Sequence, residues 1–246
     1  MATALTSPPA KKAVLEALLR EKKLQAEGPP LRGEDRRLRR IPTGTAETNA
    51  LLNGGFPRGQ LSEIHGPVSS GRTGHLLGLL ACTTRSGALA ALVDPLDRFD
   101  PASAAASGIA LARLLWLRGP RGGGEAPRPE ALAEATAAVA TLAGSGLFDV
   151  VVLDLAGVSD RDRRRLPPTT WIRLQRAVAE TETALLLVAD THVATSPGGA
   201  SLAFTRTGLR WSTPPGPGRL LVALDARVSS GRPVPRSAPI ALPTFA

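Results

Sequence analysis

The chain has 246 residues and a mass of 25.5 kDa, 43% of it apolar, with one cysteine and no tyrosine. That length suits one large domain or one and a half small ones. Cys82 alone excludes an internal disulfide and a cysteine-based zinc cage, no apolar run approaches a membrane span, and no secretory leader opens the chain, so a reducing cytoplasmic setting is expected. The net charge is +9, and the first 40 residues hold ten Lys and Arg against five Asp and Glu. This fits either a basic arm for an acidic partner such as nucleic acid or a general coding bias toward arginine.

Residues 1–10 are expected to be disordered. Residues 11–27 place Val14, Leu15, Leu18 and Leu19 on one stripe at helical spacing. Gly28-Pro29-Pro30 ends that helix, and a basic linker runs to residue 40. Such a stripe must dock on its own core, on a second copy or on another protein.

From Ile41 strands and helices alternate. Strands are predicted at 61–65, 88–94, 114–117, 148–154 and 184–190, with helices at 73–86, 101–111, 130–143 and 169–181. The near-continuous apolar runs at 148–154 and 184–190 read as buried parallel strands. Segments 208–212 and 219–226 read as a closing hairpin, and 229–246 as an extended proline-rich tail. The expected organisation is an N-terminal helix and linker (1–40), an α/β core with a mostly parallel sheet flanked by helices (41–228) and the tail (229–246).

The first strand–helix turn carries the most chemistry. Gly66-Pro67-Val68-Ser69-Ser70-Gly71-Arg72-Thr73 has the spacing of a phosphate-binding loop, in the required strand-to-helix context. Its glycines allow a tight turn with N–H groups facing an anion, and Thr73 offers a hydroxyl to magnesium. Arg72 stands where such loops carry lysine. A forked guanidinium does not reproduce the compact ammonium among terminal phosphates.

The stretch from Ile41-Pro42-Thr43-Gly44 through Leu51–Gly55 to Thr73 resembles the entry to the ATPase core of RecA-type recombinases. So do Ala91–Pro101, Phe148–Asp154, Ala184–Asp190 and Gly198-Gly199. The resemblance spans roughly residues 11–228 and implies a RecA-like P-loop fold. It also exposes departures. The catalytic glutamate falls on Leu96, with Asp97 one residue on. The adenine-stacking tyrosine falls on Ser103, and the phosphate-sensing Asn-Gln pair falls on Ala189-Asp190, where a carboxylate would repel nucleotide. Asp154 keeps the magnesium-side aspartate. The expected outcome is no catalytic residue, no required cofactor, and ATP with magnesium bound weakly at most. The loop is then kept for folding or for weak phosphate binding.

The segment 155–170 holds Arg161, Arg163, Arg164 and Arg165, which read as phosphate contacts to DNA or as a solvated charge run beside Asp160 and Asp162. His65, His75 and His192 show no metal spacing, so no metal site is expected. The three tryptophans are expected in the core, and Asp100-Pro101 as a helix cap with proline in the first turn.

With Asp94–Ala105 and Leu114-Leu115-Trp116, the chain is similar to the ImuA family, RecA-like accessory proteins of bacterial SOS mutagenesis. That resemblance implies a non-enzymatic adaptor in DNA damage repair and translesion synthesis. The implied partners are an ImuB-type inactive Y-family polymerase, RecA and single-stranded DNA, in a cytoplasmic, nucleoid-associated setting without a membrane. Self-association through the N-terminal helix is also expected. The alternatives are a DNA-dependent ATPase with an arginine loop and a SulA-like cell-division inhibitor.

Overall fold

A computed structural model describes residues 8–21, 40–119, 129–194, 198–212, 216, 218–231 and 235–243. The expectations for residues 1–7, for the helix beyond residue 21, for the basic linker and for most of the turn at 214–218 lie outside the described residues.

The elements run α1 (Pro8–Glu21), β1 (Arg40–Ile41), α2 (Ala46–Leu51), β2 (Phe56–Pro57), β3 (Leu61–His65), α3 (Arg72–Arg85), β4 (Ala90–Asp94), α4 (Pro101–Ala106) and β5 (Leu114–Arg118). They continue with α5 (Pro129–Ser145), β6 (Val150–Asp154), α6 (Asp160–Arg163), α7 (Thr170–Ala179), β7 (Ala184–Ala189), β8 (Ser201–Trp211), β9 (Leu221–Ser230) and β10 (Arg236–Pro243). Eight strands form one sheet in the order β10-β9-β8-β3-β7-β6-β4-β5. Every pairing from β8 to β5 is parallel, and β8, β9 and β10 pair antiparallel. The mostly parallel α/β architecture is therefore as the alternation implies.

Side chains alternate across a strand, so each central strand feeds two cores. Val150 and Val152 of β6 and Leu186 and Val188 of β7 join α2, α3 and α4 on one face. Val151, Leu153, Leu185 and Leu187 join α1, α5 and α7 on the other. Each fully buried Leu or Val contributes about 2 kcal/mol of transfer free energy. Strands buried on both faces have no polar face to show, which explains the continuous apolar runs.

The proline-rich tail is corrected. Residues 236–243 form β10, in register with β9 from Arg236↔Ser230 to Pro243↔Ala223. Ile240 and Leu242 sit two apart and bury against Ala226 and Val228. Because β10 is an edge strand, a proline there can turn its missing N–H toward solvent. Strand β8 also begins earlier than expected, at Ser201, where it pairs with Glu63 of β3.

Helix α1 docks on its own chain through Leu15, which is 9% exposed and joins the α5 core, while Val14 and Leu18 stay exposed. The side chain of Leu19 lies outside the described residues. Trp116 and Trp171 are half-buried against the two cores, but Trp211 lies exposed near the distal end of β8, under the Arg219 guanidinium at 4.8 Å. Among the described residues no helix is long and apolar enough to cross a membrane.

Candidate functional site: a self-paired phosphate loop

The loop between β3 and α3 folds as its glycines dictate. Gly71 takes φ +98° as the cap of α3, and a Cβ there would come within 2.5 Å of Leu242 Cδ1. A Cβ on Gly66 would meet the Phe204 carbonyl oxygen at 2.5 Å. Strands β8 and β10 thus press on the loop from behind, and only glycine lets the backbone lie that close. Val68 forms the exposed crest, Ser69 adopts φ +60°, and Ser70 is buried. Thr73 is exposed in the first turn of α3. Helix α3 opens with N–H groups that no helical carbonyl can reach, so the local field still favours an anion.

The cation of the loop faces inward. The Arg72 side chain is 7% exposed, donates to the Gly66 carbonyl oxygen and pairs with the Asp190 carboxylate at 2.5 Å. Asp190 also accepts from the Gly157 N–H at 2.7 Å. Asp190, expected to repel a nucleotide, is thus the internal counter-ion of Arg72. Three segments meet in this pair: the phosphate loop, the end of β7 and the turn after β6. Arg72 holds the loop's own backbone and a carboxylate rather than standing free beside it.

Below the loop, His75 of α3 is fully buried with its ring centroid 5.0 Å from that of Phe204. Burial lowers its pKa to about 4, so it is a neutral core residue at pH 7.

The strand ends beside the loop hold carboxylates in fixed roles. Asp154 keeps part of its surface in solvent, yet the protein packed around its carboxyl pushes its pKa up to about 6. The Ala156 N–H at 2.9 Å, with the charges of Arg72 and Arg98, works against that burial, and the charge of Asp94 adds to it. Asp94 is 1% exposed and accepts from the Phe99 N–H at 2.8 Å. Leu96, where the sequence resemblance leads one to expect a water-activating glutamate, is buried. Asp97, the neighbouring carboxylate, takes φ +53° and is held bidentately by Arg118 at 2.7 and 2.8 Å. Ser103 donates to Asp100, which caps α4 through the N–H groups of Ala102 and Ser103 with Pro101 in the first turn.

The arginine segment divides. Ser159 caps the short α6 by accepting from the Asp162 N–H. Arg163 turns inward to Asp160 and Thr191, and Arg165 pairs with Asp162 at 3.3 Å. Arg161, Arg164 and Arg165 are all exposed, Arg165 despite its ion pair. Arg163 and Arg164 line a cavity of about 400 Å³ with Thr191, His192 and Trp171.

Sequence spacing missed one cluster. Glu63 is 2% exposed and accepts from His192 Nδ1, the Ser201 hydroxyl (2.6 Å) and the N–H groups of Val193 and Ala194 (3.1 Å each). His65 Nε2 lies 3.8 Å from the same carboxylate oxygen that meets His192. The only sequence signal is Glu63-x-His65, a period-two pair on one strand face; His192 arrives through the β3–β7 pairing.

Comparison with known proteins agrees with the fold. The profile of the family described as the RecA N-terminal domain matches residues 29–161. Protein RecA of Herpetosiphon aurantiacus is 32% identical over 199 residues, covering 74% of this chain and 53% of that protein. Protein RecA of Lactobacillus delbrueckii subsp. bulgaricus is 30% identical over 225 residues, covering 80% and 65%. Protein RecA of Chlorobaculum parvum reaches 39% over 115 residues, covering 46% and 30%. The chain thus spans less than two thirds of the length of these relatives. A strand-to-helix phosphate loop on a mostly parallel sheet, matched across more than half of its length, places the chain in the RecA N-terminal domain family.

Proposed function

We propose that the chain is a non-catalytic RecA-like adaptor of the ImuA type, acting in the DNA damage response and supporting SOS mutagenesis by translesion synthesis. Its partners on this reading are an ImuB-type inactive polymerase homologue and RecA, whose filaments it restrains by adding a subunit that does not propagate. It works in the cytoplasm near the nucleoid. The observation that carries the reading is the Arg72 guanidinium held by the Gly66 carbonyl and Asp190 inside its own loop. A loop cation committed to internal partners does not bridge terminal phosphates without first breaking a largely buried ion pair. Leu96 offers no carboxylate and Asp97 is held by Arg118, so neither residue is poised to activate water. ATP and magnesium are then dispensable and at most weakly held by Gly66, Ser69, Ser70, Gly71, Arg72, Thr73 and Asp154. Exposed Arg161, Arg164 and Arg165 are the residues suited to single-stranded DNA, and Val14 and Leu18 to a protein partner or a second copy.

Calorimetric titration with ATP and magnesium, together with phosphate release with and without single-stranded DNA, tests the reading. The expected result is no resolved binding at micromolar nucleotide and no DNA-stimulated release. DNA-stimulated hydrolysis abolished by Arg72→Ala would overturn it in favour of a DNA-dependent ATPase.

A further inference from the structure

We infer that Glu63, His65 and His192 form a binding site for one zinc-class divalent cation, clamping the C-terminal ends of β3 and β7 just behind the phosphate loop. The three offer two imidazole nitrogens and one carboxylate oxygen, all within 4.8 Å of one another. Two imidazoles and a carboxylate are a donor set that zinc takes readily, with water in the fourth position.

The support around the carboxylate is already built. Glu63 is almost fully buried, and the N–H groups of Val193 and Ala194 with the Ser201 hydroxyl fix its orientation. Such outer contacts orient a ligand and tune its basicity. Among the described residues no Lys or Arg pairs with Glu63, and its carboxylate meets backbone N–H groups, the Ser201 hydroxyl and the two imidazoles. A buried anion with that surrounding is stabilised by a cation.

The imidazoles meet the same need. His65 projects from the strand face that carries Glu63, two residues on. His192 follows β7 on the adjacent strand end, and its side chain is 54% exposed. The two rings stand edge to face with centroids 5.7 Å apart. In a tetrahedral site with bonds of about 2.0–2.1 Å, neighbouring ligand atoms stand roughly 3.3 Å apart. His192 therefore moves out from its direct contact with Glu63 and His65 closes in, small rotations for one exposed ring and one ring that is 20% exposed. Entry is open on both sides. His65 lines a cavity of about 430 Å³ with Ser201 and Arg236, and His192 lines the 400 Å³ cavity beside Arg163.

Composition makes the test sharp. The chain has three histidines and one cysteine, and the third histidine, His75, is fully buried on the far side of the loop. The experiment uses the tag-free full chain, stripped with a chelator and desalted, then titrated with zinc chloride by calorimetry and with cobalt chloride by visible absorption. One equivalent per chain is expected, with the intense ligand-field bands of four-coordinate cobalt. His192→Ala and His65→Ala should each weaken binding more than about 100-fold, and Ser201→Ala about 10-fold, as for an outer contact. Circular dichroism of His192→Ala, whose ring is largely exposed, checks that the fold is kept. Absence of saturable uptake by the wild-type chain, or unchanged affinity and stoichiometry in His192→Ala, would overturn the assignment.

Discussion

The phosphate loop and the arginine segment at 160–165 both follow the C-terminal ends of central parallel strands, β3 and β6, yet they handle positive charge differently. In the loop the single cation is buried and spent on internal partners: Arg72 binds the Gly66 carbonyl and Asp190. In the segment the cations divide. Arg163 turns inward to Asp160, while Arg161, Arg164 and Arg165 face solvent, the last beside Asp162. The same residue type is structural in one place and available in the other. Burial decides which, because an unpaired charge is tolerated only where water reaches it.

The largest way to break this contrast is to remove the counter-ion. Asp190→Ala strands a buried guanidinium and should cost about 3 kcal/mol of stability in urea denaturation. Arg72→Met together with Asp190→Ala should cost less than the two single changes added. Additive losses would mean that the pair is not coupled.

The second test uses pH. His75 has a folded pKa of about 4 against 6.5 when unfolded, so its contribution is full above pH 6.5 and is lost as pH falls toward 4. Asp154 has a folded pKa of about 6 against 3.8, so its contribution is full below pH 3.8 and is lost as pH rises toward 6. Between pH 4 and 6 the two slopes oppose one another. Asp154→Asn removes one of them, and the variant should lose about 2 kcal/mol more than wild type between pH 6 and pH 4. Parallel stability curves for the two proteins would refute the assignment.

The third test sharpens the other side. Arg161→Ala with Arg164→Ala should weaken binding to single-stranded DNA and flatten its salt dependence by about 1.4 logarithmic units, two phosphates' worth. Arg163→Ala, which removes the one inward-facing arginine of the segment, should leave that slope nearly unchanged. An equal effect per arginine from Arg163→Ala would erase the distinction between the inward and the exposed arginines.

The smallest effect is expected at α1. Val14→Ser with Leu18→Ser should change stability by less than about 0.5 kcal/mol, since both are exposed. Any loss of self-association seen by sedimentation then reports an interface and not the fold. A large loss of stability would place both residues in the core beside Leu15.

The parallel core was legible in the chain because strands buried on both faces must be apolar throughout, and helices between them must show a 3.6-residue stripe. Gly66 and Gly71, the Asp100-Pro101 cap and the strand ends followed from such local rules. Strand β10 was not legible. Its prolines argue against a strand, and only its place at the sheet edge makes them harmless. The destination of Arg72 was equally hidden. Sequence showed a guanidinium in an ammonium's place and a carboxylate at 190, 118 positions on, without joining them. The meeting of Glu63 with His65 and His192 was hidden for the same reason. Local pattern determines which elements form and which face they bury. Which charges and ligands meet is decided when strands distant in the chain are laid side by side, since pairing energies act across space and not along the backbone.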